Sequence, residues 1–353
     1  MGIRWSAVVD APLEEVFAWH ARPGALLRLM PPWQPLGVVA EAESLRDGRA
    51  VLQVPPGLRW VAAHDPAAYD PPHRFVDELA GDPPLTWLLS WRHTHEFRAE
   101  GPASTRITDT VETQVPATLL RPVLAYRQAQ LAGDLAVHAR SRQWRAEPLT
   151  VAITGTDGPV GTPVAALLST GGHRVVHLVP RAPRTDGERR WDPDAPAEDL
   201  LAGVDAVIHL ATGRASATRR LAARAAEAGV GAYVAASSVG GSRREDAVAP
   251  AAAAGVRCVL VRTAAVLGPR GLPRPGRGGR WVPWIGVDDL ADVYLRAACD
   301  AGLSGPVDAV TPHPVRLPLP VAGPCVGPDR LLAVGHRFRH PEIGSALRHV
   351  LGR

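Results

Sequence analysis

The stretch Val151-Ala-Ile-Thr-Gly155-Thr-Asp-Gly158-Pro-Val-Gly161 sets three glycines at three-residue intervals behind an apolar run. A helix-like segment, Val160–Ser169, follows it. Strand, tight turn, helix is the arrangement that holds the phosphates of a dinucleotide. The first glycine permits the turn, the second lets backbone approach a pyrophosphate, and the third lets the helix lie close to the strand. The N–H groups and dipole at the helix start then attract phosphate. The plainer reading is a glycine turn that has lost its ligand. Pro159 suits that reading because it removes a donor from the loop, while Pro163 falls in the first helical turn, where proline is tolerated.

Further residues have types that could act around such a corner. The next strand ends His177-Leu-Val-Pro-Arg181. An acid there would hold a ribose 2′-hydroxyl, whereas an arginine suits a 2′-phosphate. Arg181, with Arg184 nearby, therefore points to NADP rather than NAD; otherwise it is a solvated loop arginine. Ser237 and Ser238 close another apolar segment, where a hydroxyl could orient a substrate carbonyl or simply finish a strand. Tyr233 begins that strand and is expected in the core. Asp288 and Asp289 stand at a helix start, where carboxylates cap free N–H groups. His93 and His95 alternate on a strand and share one face. A metal would need a third ligand, and none is evident in the sequence, so no metal is expected. The pair reads as the polar wall of a cavity or a surface ladder. Arg270, Arg274, Arg277 and Arg280 sit among Gly and Pro, as an anion-binding loop or a solvated one.

These segments sit in a chain of 353 residues, long enough for two domains. The chain contains no lysine and no asparagine. That excludes a Schiff-base lysine, a P-loop lysine and a Tyr/Lys proton-transfer pair. The net charge of +4 is small and spread along the chain, so no nucleic-acid partner is expected. No apolar run reaches the roughly 18 residues of a membrane helix. Arg4, Asp10, Glu14 and Glu15 spoil a signal-peptide pattern. Cys258, Cys299 and Cys325 are scattered and odd in number, so a reducing cytoplasm is the expected location.

Residues 1–147 read as one unit. Ile3–Val9 alternates like a strand. Asp10-Ala-Pro-Leu-Glu14 reads as a capped helix start, with the helix running through Val16, Phe17 and Leu26 to Pro31-Pro32. Strands are expected at Gly37–Glu41, Ala50–Val54, Leu58–His64, Arg74–Glu78, Thr86–Phe97 and Thr105–Thr113, then a helix over Leu119–Trp144. A sheet gripping a long helix would leave an apolar cavity. Trp19, Trp33, Trp60, Trp87 and Trp91 are expected to line or close it, or to pack in the core. This half resembles the SRPBCC (START-like, helix-grip) superfamily through Val8-Val9-Asp-Ala-Pro-Leu-Glu-Glu-Val-Phe17, Pro32-Trp33-Gln-Pro35, Arg74-Phe-Val-Asp-Glu78 and Trp91-Arg-His-Thr-His-Glu-Phe97. The resemblance implies an α+β helix-grip domain that binds an apolar small molecule.

Residues 148–353 alternate strand and helix, which argues for a doubly wound parallel sheet of Rossmann type. Strands are expected at Leu149–Thr154, His173–Val179, Asp205–Leu210, Ala232–Ala236 and Val256–Arg262. Helices are expected at Val160–Ser169, Ala215–Ala228 and Asp288–Ala298. This half resembles the atypical extended short-chain dehydrogenase/reductases of the epimerase-like oxidoreductase type. The matching pieces include Thr154-Gly-Thr-Asp-Gly-Pro-Val-Gly161, Trp191-Asp-Pro193, Asp205-Ala-Val-Ile-His-Leu-Ala211, Ala236-Ser-Ser-Val-Gly240 and Pro283-Trp-Ile-Gly-Val-Asp-Asp-Leu290. By that resemblance Gly155, Thr156, Asp157, Gly158, Val160, Gly161, Arg181, Leu210 and Ala211 hold the cofactor. Ser237 and Ser238 fall where the superfamily has a substrate-orienting serine.

The chain departs from the family in its chemistry. The usual catalytic tyrosine stretch is replaced by Gly241-Ser-Arg-Arg-Glu-Asp246, and Gly286 stands where a histidine is common. Only 17 residues lie between Ser238 and Val256, too few for the usual loop and helix. The expectation is an NADP-dependent oxidoreductase or epimerase-like protein acting on a small molecule. The alternative is a non-catalytic nucleotide- and ligand-binding module.

Overall fold

The computed structural model describes residues 2–81, 83–211, 213–241, 245–268, 280–317 and 326–352. The loop carrying Arg270, Arg274 and Arg277, the segment 318–325 with Cys325, and residues 242–244 lie outside them. The chain divides into two compact units: Met1–Ala139 with Ser169–Gly172 and His349–Arg353, and Arg140–Leu168 with His173–Arg348. Among the described residues no helix is long and apolar enough to cross a membrane.

The first unit is built on one antiparallel sheet. Its strands are β1 (Gly2–Val9), β2 (Gly37–Ala40), β3 (Arg49–Val54), β4 (Leu58–His64), β5 (Arg74–Ala80), β6 (Trp91–Gly101) and β7 (Ser104–Thr113). They lie in the order β1-β7-β6-β5-β4-β3-β2. Helices α1 (Leu13–Ala21) and α2 (Ala25–Leu29) follow β1, and α4 (Ala117–Trp144) follows β7. Leu131 and Leu135 of α4 join Phe17 of α1 and Phe75, Phe97 and Ile107 of the sheet in one core. Phe17 meets Phe75 and Phe97 edge to face, at 6.2 and 5.6 Å between ring centroids.

Three details differ from the sequence expectation. The first helix is broken. Pro23 cannot continue the hydrogen-bond ladder, and Gly24 takes a left-handed φ of 91° that starts α2 afresh. Asp10 does not cap α1, because the N-cap is Pro12. The expected strand over 86–97 begins as a short helix, α3 (Leu85–Leu88), and extended structure starts only at Trp91. Of the tryptophans, Trp19 is fully buried and Trp60 and Trp91 pack edge to face at 5.2 Å, while Trp87 is 79% exposed and lines no core.

The second unit is a parallel sheet. Its strands are β8 (Thr150–Thr154), β9 (Arg174–Val179), β10 (Glu188–Arg190), β11 (Ala206–His209), β12 (Ala232–Ser238), β13 (Arg257–Thr263) and β17 (Gly305–Ala309). Their order is β10-β9-β8-β11-β12-β13-β17, and every pairing is parallel. Order reverses on either side of β8, as in a Rossmann-type sheet. The central strands β8 and β11 are almost wholly buried, with Val151, Ala152, Ile153, Val207 and Ile208 fully so. That explains why they read as continuous apolar runs rather than as alternation. Helices α5 (Gly161–Thr170), α6 (Ala215–Glu227), α7 (Ala249–Ala253) and α8 (Val287–Cys299) fall between strands; α9 (Asp329–Ala333) and α10 (Ile343–Leu351) come later. Two small pairs complete it: β14 (Ala265–Leu267) with β16 (Trp284–Gly286), and β15 (Arg280–Val282) with β18 (Val315–Leu317).

The N-cap of α8 is Gly286, which has no side-chain cap bond, and the Asp289 carboxylate is not spent on capping alone. Asp289 accepts the backbone N–H groups of Arg339 and His340 at 2.5 and 3.2 Å. Asp292 takes the Arg339 guanidinium in a two-point pair at 2.7 and 2.6 Å. Burial, with the neighbouring Asp292 charge, pushes the Asp289 carboxyl up to about 7. These acids therefore anchor the C-terminal segment from inside the fold.

In the first unit, Arg28 of α2 donates twice to Asp134 of α4, at 2.8 and 2.6 Å, with side chains 3% and 0% exposed. Asp134→Ala would leave a buried guanidinium without its carboxylate, which costs about 3–5 kcal/mol. Urea unfolding should show a loss of that size. The apolar double replacement Arg28→Met with Asp134→Leu should lose far less.

Candidate functional site

β8 delivers the chain into the crevice beyond the carboxyl ends of β8 and β11, where strand order reverses. Gly155 leaves the strand with φ of 75°, a conformation that L side chains rarely adopt. A Cβ there would come within 3.1 Å of the Ala211 nitrogen. Gly158 donates its N–H to the Gly155 carbonyl at 3.1 Å and closes the turn. A Cβ on Gly161 would run into the Gly155 carbonyl, with Gly155 C and Thr156 Cα each at 2.8 Å. Only glycine lets α5 begin so close to the loop. The Thr162 hydroxyl then donates to the Thr156 and Gly158 carbonyls at 2.8 and 3.1 Å, fixing the loop to the helix. Thr156 is buried, and Asp157 is exposed at the loop tip.

Sequence reasoning missed the residue that joins this loop to the next one. The buried Thr154 hydroxyl accepts N–H bonds from Leu210 and Ala211 at 3.2 and 3.1 Å. Its own proton then goes to His209 Nδ1 at 2.8 Å. His209 Nε2 is left to donate to the Thr218 hydroxyl at 3.1 Å. Leu210 and Ala211 thus lie beside Gly155, and their amides are used inside the protein. A threonine ending a strand is the only sequence signal for this network, and a common one.

Arg181 stands two residues beyond the end of β9. Its guanidinium makes a two-point pair with Glu188 of β10, at 2.7 and 2.6 Å. Glu188 also accepts the Arg184 N–H at 2.7 Å. The hydrogen bonds from Arg181 and Arg184 pull the Glu188 carboxyl down to about 2. The strand carrying Glu188 was not foreseen, so neither was the partner.

At the end of β12 the Ser237 hydroxyl donates to Glu245 at 2.8 Å, and Glu245 is held by Arg262 at 2.8 and 2.7 Å. Ser238 is exposed. Tyr233 is fully buried, as its place in the strand implied, and reaches the Thr218 carbonyl at 3.4 Å. Burial pushes its hydroxyl above the ordinary range, and burial does the same to Tyr294, the other tyrosine of this unit. A separate cleft of about 280 Å³ is lined by Arg140, Trp144, Arg296 and Arg337, and none of its walls belongs to the glycine corner.

No protein-family model matches the chain. An epimerase family protein of Mycobacterium leprae is 30% identical over 294 residues, covering 58% of this chain and 96% of the relative. The chain belongs to the epimerase family. A Mycobacterium bovis member is 28% identical, with 58% of this chain and 98% of the relative covered. Among solved structures, a nucleoside-diphosphate sugar epimerase from Corynebacterium glutamicum superposes with a TM-score of 0.92 at 36% identity. That match takes in 99% of this chain and 90% of the other, so it includes both units of this epimerase-family protein.

In the first unit the structure assembles a group that no spacing along the chain announced. Asp77 and Asp109 stand on either side of His93 and His95. Burial pushes the His93 imidazole down. The bonds to Asp109 and Asp77 outweigh burial for His95 and raise it.

The contact at Gly161 gives a direct stability test. Gly161→Ala should destabilise this epimerase-family chain by about 1–3 kcal/mol, as overpacking does. Gly158→Ala, whose methyl would meet the Gly155 carbonyl at 3.2 Å, should cost less than about 1 kcal/mol. Chemical unfolding of the two variants against the parent reads the difference.

Proposed function

We propose that the second unit binds a nicotinamide dinucleotide at the glycine corner, NADP in preference to NAD, as an oxidoreductase or epimerase-like protein acting on a small molecule. The observation that carries this reading is the fit of Gly161 against Gly155. It brings the positive dipole end of α5 over the crevice at the strand switch point. The Thr162 and Val164 N–H groups there already go to the Gly158 and Val160 carbonyls and Pro163 has none, so the dipole and the loop amides before them must do the holding. Gly155, Thr156, Asp157, Gly158, Val160 and Gly161 would hold the pyrophosphate, and Leu210 and Ala211 would wall the site beside them. Arg181 would meet a 2′-phosphate. Glu188 already neutralises it, so the phosphate must share or displace that carboxylate, which narrows the preference for NADP. A bound nicotinamide supplies or accepts hydride.

The chain's own residues contribute position. Ser238 lies exposed at the end of β12, and Ser237 is held to Glu245 beside it. The proton for a carbonyl or alcohol would come from a serine-bound water or from the substrate itself. Neither tyrosine of this unit reaches solvent, and the chain has no lysine. That same observation favours a second reading, a nucleotide-binding module without catalysis.

For the first unit we infer a helix-grip, SRPBCC-type ligand-binding domain over residues 1–147, with the nucleotide domain over 148–353. Seven antiparallel strands with a 28-residue helix packed on them support it. Its ligand would be apolar.

Fluorescence titration with NADPH and NADH tests the cofactor claim. NADPH should bind, and no quenching or energy transfer up to millimolar of either cofactor would sink it. Arg181→Ala should weaken NADPH by about tenfold or more while leaving NADH nearly unchanged. Glu188→Gln, which releases Arg181, should widen the preference for NADPH. If NADPH binds, its oxidation over a panel of carbonyl compounds separates the two readings, and silence across the panel favours the module.

A further inference from the structure

We propose that the first unit holds one divalent first-row transition-metal ion, ligated by Asp77, His93 Nδ1 and His95 Nε2, with Asp109 orienting both imidazoles from the opposite side. The site follows from strand register. Asp77 of β5 lies directly opposite His93 of β6, and His95 of β6 lies directly opposite Asp109 of β7. His93 and His95 are two residues apart, so all four side chains rise from one face of the sheet. That face is covered, leaving the His93, His95 and Asp109 side chains at 2%, 4% and 8% exposure and Asp77 at 14%.

The two carboxylates stand in different relations to the imidazoles. On one side, Asp109 Oδ1 lies 3.0 Å from His93 Nε2 and 2.8 Å from His95 Nδ1, ordinary hydrogen-bond lengths. An ionised carboxylate only accepts, so both of those nitrogens carry their proton. In the neutral imidazoles the remaining nitrogens, His93 Nδ1 and His95 Nε2, then present lone pairs. These are the two that face Asp77 Oδ2, at 3.7 and 3.4 Å. The 3.7 Å separation is beyond a hydrogen bond and the 3.4 Å one is at its limit, so an ion would replace a weak His95–Asp77 bond. Both separations suit neighbouring ligand atoms on one ion, because tetrahedral bonds of about 2.0–2.1 Å set donors about 3.3–3.4 Å apart.

The donor atoms of Asp77, His93 and His95 all lie within 4.8 Å of one another. Two imidazoles and one carboxylate form a donor set for zinc, iron(II) or cobalt(II), with a position left for water or substrate. Outer support is also built. Gln128 of α4 reaches the other oxygen of Asp109 at 3.5 Å, and Trp5 of β1 donates to Gln128 at 2.5 Å. Metal-bound histidines characteristically give their second N–H to such a carboxylate, which fixes the tautomer and raises the ligand's basicity.

The test uses the untagged full-length chain, stripped by chelator and titrated with Co²⁺ while visible d–d absorption is followed, then with Zn²⁺ in competition. Elemental analysis after dialysis gives the stoichiometry. The expected result is one ion per chain, with d–d bands that Zn²⁺ abolishes. His95→Gln and Asp77→Asn should lose the bands. Asp109→Asn should weaken binding by about 10–100-fold without abolishing it. Circular dichroism of each variant confirms folding. If the folded parent protein retains no ion and shows no Co²⁺ bands, the four residues are a hydrogen-bonded structural cluster and the proposal fails. Unchanged binding by folded Asp77→Asn would overturn it equally, by placing the ion elsewhere.

Discussion

The absence of a single methylene group governs the second unit. Gly161 has no Cβ, and its place against the Gly155 carbonyl has no room for one. The start of α5 therefore lies over the turn that leaves β8. Because β8 is flanked by β9 and β11, any displacement there spreads. Thr154 makes the spread explicit, since one hydroxyl binds the amides of Leu210 and Ala211 and the ring of His209. Loop, helix start and neighbouring strand end form one mechanical piece. Preorganised amides at a helix start need such a piece, because their attraction for phosphate depends on staying put.

A second regularity is that polar groups placed where a ligand would meet them have partners of their own. Arg181 is gripped by Glu188, Ser237 by Glu245, and Glu245 by Arg262. Each partner raises the free energy needed to engage a ligand, since the internal bond must be exchanged for an external one. Each also fixes a side chain that would otherwise lose rotamer freedom on binding. The outcome at Arg181 depends on the difference between a carboxylate and a phosphate as acceptor, which is small enough for the neighbouring loop to tune.

Much of this was legible in the residues. The glycine spacing located the corner, and apolar runs located five strands of the parallel sheet to within one or two residues. What escaped was set by partners distant in sequence. β10 is three residues long and polar, so periodicity does not reveal it, and with it went the partner of Arg181. The helix start at 288–289 carried the right residue types for capping, yet the Asp289 carboxylate turns to the backbone of Arg339 and His340, some fifty positions away. The break at Gly24 was hidden because apolar residues on both sides keep a helical period across it. His93 and His95 were visible as a pair on one face, but Asp77 and Asp109 come beside them only through strand register, which a sequence does not print.

The chemistry left at the end of β12 follows from the direction of its hydrogen bonds. Arg262, more than the bond from Ser237, holds the Glu245 carboxyl below its usual range, so it stays ionised at neutral pH. An ionised Glu245 accepts, and the Ser237 proton is therefore committed to it. Any substrate group that meets the Ser237 oxygen must then be a donor. That suits an alcohol and not a carbonyl oxygen. Tyr233 and Tyr294 are buried and their hydroxyls held protonated, so among the described residues neither tyrosine of this unit is placed to exchange a proton near neutrality. On the proposed oxidoreductase reading, Ser237 would suit the alcohol form of a substrate, the form whose oxidation sends hydride to an oxidised nicotinamide.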